Sequence, residues 1–195
     1  MTIEERKERT RRMLAEAAAE LFVVKGFDHT TVEEIAQAAG ISPRTFFRYF
    51  ATKDEVVMSF LWLKVDKLLG SLAMRPNGEP LLDSVQVVFR SGEADADIER
   101  DRQLLRLLAT TPSLRARWLV DGWESAVRLR PIIAGRLGVG PESPRVALIA
   151  NTLFMVAETV LDRWSSEGGD FVGEMLAALV VIDRGGLFGL LGSEG

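Results

Sequence analysis

The sequence predicts an all-α fold, and three observations carry that expectation. Apolar residues recur at i, i+3, i+4 spacing through most of the 195 residues. Helix-start signals recur with them: Thr31 with Glu34, Ser42 followed by Pro43, and Thr52 with Glu55. Alternating strand patterns bounded by turn residues are almost absent.

Each element follows from its own local chemistry. The first helix is expected over 3–25, where Met13, Leu14, Ala17, Ala18, Leu21 and Phe22 form one apolar face and Gly26 supplies the stop. Thr31 and Glu34 make a capping box for a second helix over 32–39, ended by Gly40. Ser42 as N-cap and Pro43 at the first helical position open a short third helix reaching Tyr49. Thr52 and Glu55 open a fourth, which runs through Phe60, Leu61, Val65 and Leu68 and connects the two parts of the chain. Pro76, Asn77, Gly78 and Pro80 break the pattern after it. Five more helices are expected at about 80–92, 97–110, 112–137, 143–166 and 170–191. Pro112 and Pro144 sit at helix starts behind Thr111 and Ser143, whereas Pro131 falls inside a helical pattern and is expected to kink or split it.

Composition narrows the class. Hydrophobic residues make up 47% and charged residues 27%, the balance of an ordinary globular protein. The absence of cysteine excludes disulfides and thiolate metal sites and favours a reducing compartment. The longest unbroken apolar run, Met175 to Ile182, is too short to cross a bilayer. The longer run from Val146 to Leu161 is interrupted by Asn151, Thr152, Glu158 and Thr159, and no apolar core follows the N-terminal charges as a secretory signal requires. The expectation is a cytoplasmic protein without membrane association. There is no Gly-rich phosphate loop, paired His/Cys set or nucleophile elbow, and the one histidine, His29, lies in a loop. Neither an enzyme, a metal site nor a cofactor is expected.

The charge distribution says more than its sum. The net charge of −4 gives no general affinity for nucleic acid, and residues 1–55 hold nine Lys/Arg against ten Asp/Glu. The cations are local, however: Arg6, Lys7, Arg9, Arg11 and Arg12 cluster near the N-terminus, and Arg44 and Arg48 share the third helix. The second and third helices are joined only by Ala39-Gly40-Ile41-Ser42, the tight connection of a helix-turn-helix. Ile35, Ala36, Ala39, Ile41 and Phe46 are expected to pack inside it. The outside of the third helix then offers Ser42, Arg44, Thr45, Phe47, Arg48 and Tyr49, with Lys53 just beyond. Hydroxyls and guanidinium groups suit phosphate oxygens and base edges, and an aromatic edge suits a thymine methyl. On this basis Arg44, Thr45 and Tyr49 are expected to read bases, and Arg48, Lys53 and the N-terminal arm to hold phosphates.

The segment GFDHTTVEEIAQAAGISPRTFFRYFATKDEV, residues 26–56, closely resembles the DNA-binding signature of the TetR family of bacterial regulators. Gly26-Phe27, Thr30-Thr31, Ile35-Ala36, Ala39-Gly40, Tyr49-Phe50 and Lys53 all fall at family spacing, over about the first sixty residues. The resemblance implies a helical homodimer, usually a repressor, released from a palindromic operator by a small molecule bound in the C-terminal domain. It implies DNA contacts from Thr31, Ser42, Pro43, Arg44, Thr45, Phe47, Arg48, Tyr49 and Lys53. Phe46-Phe47 stands where many members have Leu-Tyr, so position 47 lacks a hydroxyl for phosphate.

The expected domains are therefore a helix-turn-helix DNA-binding domain over 1–55 and a helical ligand-binding and dimerisation domain over 56–195. The stretch from Thr111 to Val139, with Leu161-Asp162-Arg163-Trp164, looks similar to members whose C-terminal domains take acyl-CoA-like ligands. Trp62, Trp118 and Trp123 suit the wall of an apolar tunnel, Arg106 a phosphate or carboxylate at its mouth, and Glu158 an orienting hydrogen bond. The same tryptophans equally suit a packed core, the arginines a solvated face, and Glu158 a contact with water. A long-chain acyl-CoA is one expected effector. Two very apolar helices near the end suit a four-helix dimer interface. A protein-interaction module without DNA binding would need the basic arm, Arg44 and Arg48 to face solvent without partners.

Overall fold

A computed structural model describes residues 2–94 and 97–183. Among these residues there are nine α-helices and no strand: α1 (Ile3–Lys25), α2 (Val32–Ala38), α3 (Pro43–Phe46), α4 (Lys53–Ala73), α5 (Leu81–Ala94), α6 (Ile98–Thr110), α7 (Pro112–Leu137), α8 (Pro144–Glu167) and α9 (Phe171–Asp183). The expected stretch 184–191 lies outside the described residues. Two compact units result: Met1–Lys67 with Ile98–Trp118, and Leu68–Asp97 with Leu119–Gly195. In the first unit α4 up to Lys67, α6 and the start of α7 group with α1, α2 and α3.

In the first unit the helix ends are set by their caps. Thr2 and Glu5 form a capping box at the start of α1, and Gly26, at φ 84°, ends it with its N–H on the Phe22 carbonyl. Of the expected face of α1, Leu14, Ala18 and Phe22 are buried and Ala17 and Leu21 half-buried; Met13 is exposed, and Ala15 and Ala19 are buried in addition. The turn after α2 is a Schellman motif: Ile41 N–H bonds the Ala36 carbonyl at 2.9 Å, Gly40 N–H bonds that of Gln37 at 3.0 Å, and Gly40 takes φ 68°. α3 stops at Phe46 and falls short of Tyr49, because Arg48 and Tyr49 bond back three residues, to Thr45 and Phe46, in a tighter turn. The Phe46 and Phe50 rings meet at a tilt of 44° with centroids 5.8 Å apart and, with Ile35, Ala36, Val56 and Val57, are buried. Ala39 and Ile41, expected inside, are half-buried.

The second unit has two apolar clusters, Leu72, Val85, Val88, Val156, Val160, Met175 and Leu179 in one, and Ala126, Ile133, Ala134, Val146 and Ala150 in the other. α7 continues through Pro131 as one helix without splitting. α8 meets the length and composition of a membrane-crossing helix, with mean hydropathy 1.3, yet it buries Glu158 and packs against α9 through the first cluster. Arg136 closes this unit by donating to the Leu72 carbonyl at 3.3 Å and to Ser84 Oγ at 3.2 Å.

Candidate nucleic-acid interface

The sequence places the interface on two caps and one turn. Thr31 caps α2, accepting from Glu34 N–H at 3.2 Å while Glu34 Oε2 accepts from Thr31 N–H at 2.9 Å. Glu34 also pairs with Lys25, and the Lys25 bond, then the Thr31 bonds, holds its carboxyl down at about 2. Ser42 caps α3, accepting from Thr45 N–H at 3.1 Å, and its Oγ lies 2.9 Å from Thr45 Oγ1. Pro43 fills the first helical position, where a missing N–H costs nothing.

These caps turn a row of side chains outward. Ser42, Pro43, Arg44, Phe47 and Arg48 are exposed, and Thr45 and Tyr49 are half-buried. Arg44 makes no hydrogen bond or ion pair among the described residues, so its five donors face solvent. Phe47 is 56% exposed, an unusual position for a phenyl ring, and is held edge-on by the buried Phe46 at 5.5 Å. Arg48 Nη2 donates to the Tyr49 hydroxyl at 3.3 Å. That bond, followed by one with Thr10, holds the phenol below the usual tyrosine range.

Two expected phosphate contacts have structural partners instead of open space. Lys53 is half-buried, donating to the Phe27 carbonyl at 2.7 Å above the Phe27 ring. Arg11 Nη1 donates to the Tyr49 carbonyl at 3.1 Å, with its guanidinium 4.6 Å from the Phe50 ring centroid. Reading the sequence missed this clamp, since nothing local to Arg11 signals a partner in the turn beyond α3. The basic arm as a whole is helical from Ile3 onward, and Lys7 and Arg12 pair with Glu4 and Glu8.

The five residues expected to contact an effector are divided between the two units. Trp62, Arg106 and Trp118 belong to the first unit, Trp123 and Glu158 to the second. Trp62 and Trp118 stack at 4.4 Å and 17°, with Trp118 buried; Arg106 is exposed; Trp123 is 56% exposed; Glu158 is buried. The second unit has an open groove of about 330 Å³ lined by Asn151, Thr152, Met155, Val156, Thr159, Val160, Ala178 and Ile182, which includes none of the five.

Residues 14–59 match the family model for bacterial regulatory proteins of the tetR family, covering α1 from Leu14, the helix-turn-helix and the start of α4. The chain is 40% identical over 165 residues to the HTH-type transcriptional regulator TcmR of Streptomyces glaucescens, covering 80% of this chain and 73% of TcmR. It is 28% identical over 160 residues to the HTH-type transcriptional activator FasR of Mycolicibacterium smegmatis, covering 71% and 72%. The crystal structure of Thermus thermophilus FadR, a TetR-family repressor in complex with lauroyl-CoA, superimposes with a TM-score of 0.58 at 26% identity, covering 91% of this chain and 95% of that one. With the cap-and-turn geometry above, these likenesses make the chain a transcriptional regulator that belongs to the TetR family.

Proposed function

We propose that the protein is a ligand-responsive repressor that binds a palindromic operator as a homodimer and is released by a small apolar or acyl-CoA-like effector. The observation that carries the DNA-binding part is the outward row of α3, with Arg44 unpaired among the described residues on a base of buried Phe46 and Phe50. Two such rows related by a two-fold axis would enter successive major grooves, about 34–36 Å apart. Thr31, Ser42, Pro43, Arg44, Thr45, Phe47, Arg48, Tyr49 and Lys53 are the contact set, Lys53 serving the fold as well.

The homodimer reading is supported by the α8–α9 groove. The surface it exposes is mostly apolar, and Met155, one of its lining residues, is exposed. A second copy would cover the groove.

The effector class is supported by the lauroyl-CoA complex of FadR, with Trp62, Arg106, Trp118, Trp123 and Glu158 as candidate contacts. An effector releases DNA only if it binds the DNA-incompetent arrangement more tightly, typically by about 1–3 kcal/mol. Mobility shift on the DNA upstream of its own gene, with and without lauroyl-CoA, tests the proposal. A salt-sensitive shift released by lauroyl-CoA supports every part of it. A shift indifferent to lauroyl-CoA and to shorter and longer acyl-CoAs overturns the effector class and leaves the regulator.

A further inference from the structure

In the second unit, the turn between α4 and α5, the start of α5 and the end of α7 come together around one carboxylate, Glu79. Arg75 holds it in a fork, Nε donating to Oε2 at 2.7 Å and Nη2 to Oε1. The hydroxyl of Ser84, fully buried in the first turn of α5, donates to the same Oε2 and accepts from Arg136 Nη2 at 3.2 Å. Arg136 also donates to the Leu72 carbonyl at 3.3 Å and to the Ile132 carbonyl at 3.1 Å. The Arg75 bond, then the Ser84 bond, holds the Glu79 carboxyl at about 2, so Glu79 is an anion near neutral pH.

The charges of this cluster do not cancel. Arg75 pairs with Glu79, whereas Arg136 has no ion pair of its own among the described residues, and its Nε is buried with no hydrogen-bond partner among them. A half-buried guanidinium with a spare charge and an unused donor marks an anion site that is only partly filled. The frame of the site is fixed and its occupant is not: Ser84 and Arg136 sit on helices, while Glu79 lies in the turn over 74–80, outside any helix. Apolar surface adjoins it. Leu72 and Val85 belong to a buried apolar cluster, against which Leu81, Leu82 and Ile132 pack.

We infer that Arg75, Ser84 and Arg136 form a binding site for the carboxylate of an apolar effector, and that Glu79 is its internal occupant, which the effector displaces. The inference rests on the ligand-responsive reading and deepens it, giving the effector a carboxylate head and that head a place. The geometry favours a carboxylate, because Arg75 meets both oxygens of one planar group side by side and Ser84 meets one of them. An internal competitor has a signature of its own. Removing its charge strengthens ligand binding, whereas removing a ligand contact or a purely structural ion pair does not.

The test measures binding of laurate to the full-length protein by isothermal titration calorimetry, with dodecanol as the same chain without charge. Glu79→Gln is expected to bind laurate roughly five- to tenfold more tightly than the wild type, and dodecanol no differently. Adding Arg75→Gln to that variant is expected to reverse the gain. Glu79→Asp keeps the charge and shortens its reach, and is expected to show a smaller gain; circular dichroism checks that each variant keeps the wild-type helicity. Equal laurate affinity in the wild type and both Glu79 variants overturns the assignment. So does a gain shared by dodecanol, or laurate binding to none of the proteins. Operator binding is followed separately by mobility shift. Laurate affinities that follow these expectations, beside operator binding that ignores laurate and acyl-CoAs alike, support the carboxylate site and overturn the ligand-responsive reading.

Discussion

The Lys53 ammonium donates to the Phe27 carbonyl oxygen at 2.7 Å and lies 4.2 Å from the centroid of the Phe27 ring, so α4 fastens the loop that joins α1 to α2. A residue of this kind has two jobs when DNA is bound, and the first exists without DNA. Lys53→Ala is expected to lower stability by about 1–2 kcal/mol, from one hydrogen bond to a charged group and one cation–ring contact. Urea denaturation of the free protein checks this. An unchanged midpoint would leave Lys53 with no structural job.

Two carboxylates make the fold acid-sensitive. Glu34 and Glu79 are each held at about 2, Glu34 chiefly by Lys25 and Glu79 chiefly by Arg75 and then Ser84. An unfolded glutamate titrates near about 4.3. Their contribution is therefore complete above that value and is lost as pH falls toward 2. Denaturation midpoints are expected to drop between pH 5 and pH 2.5, and to drop less in Glu79→Gln. Equal acid dependence in wild type and variant would contradict the assignment.

α7 and α8 touch closely at one glycine. A Cβ on Gly122 would lie 2.1 Å from Phe154 Cζ, well inside contact distance. Gly122→Ala is expected to destabilise by about 1–3 kcal/mol despite the better helix propensity of alanine. Gly122→Ala with Phe154→Leu is expected to recover part of that loss, a non-additivity that thermal melts of the four-member cycle measure.

The dimer proposal makes its own demand on α8. Met155, exposed beside the groove, would be covered by a second copy. Met155→Glu is expected to shift the mass measured by light scattering from dimer to monomer, with helicity by circular dichroism unchanged. A wild-type monomer at micromolar concentration would contradict the proposal.

What the sequence made legible was mostly local chemistry. Thr31 with Glu34, Ser42 with Pro43, and Gly26 and Gly40 act within a few residues of themselves, and each ends or begins a helix as expected. What it hid depends on residues distant in the chain. The stack of Trp62 on Trp118 joins α4 to α7, and the Arg11 bond to Tyr49 joins α1 to the turn that follows α3. The burial of Ala15 and Ala19 in place of Met13 turned on which face of α1 its neighbours would meet, and apolar spacing alone leaves that open between adjacent arcs. α3 ended early because tertiary burial of Phe46 and Phe50 favours a tight turn that no local signal announces.

The central claim is that the outward row of α3 reads DNA, and Arg44 tests it most directly. Selection from a random duplex pool is run in parallel with wild type and Arg44→Ala. The wild type is expected to enrich an inverted repeat with half-sites one helical turn apart. Arg44→Ala is expected to lose preference at one symmetric position and about 1–3 kcal/mol of affinity for the enriched site. Recovery of the same motif with the same affinity by both proteins would contradict the claim that Arg44 reads a base from this face.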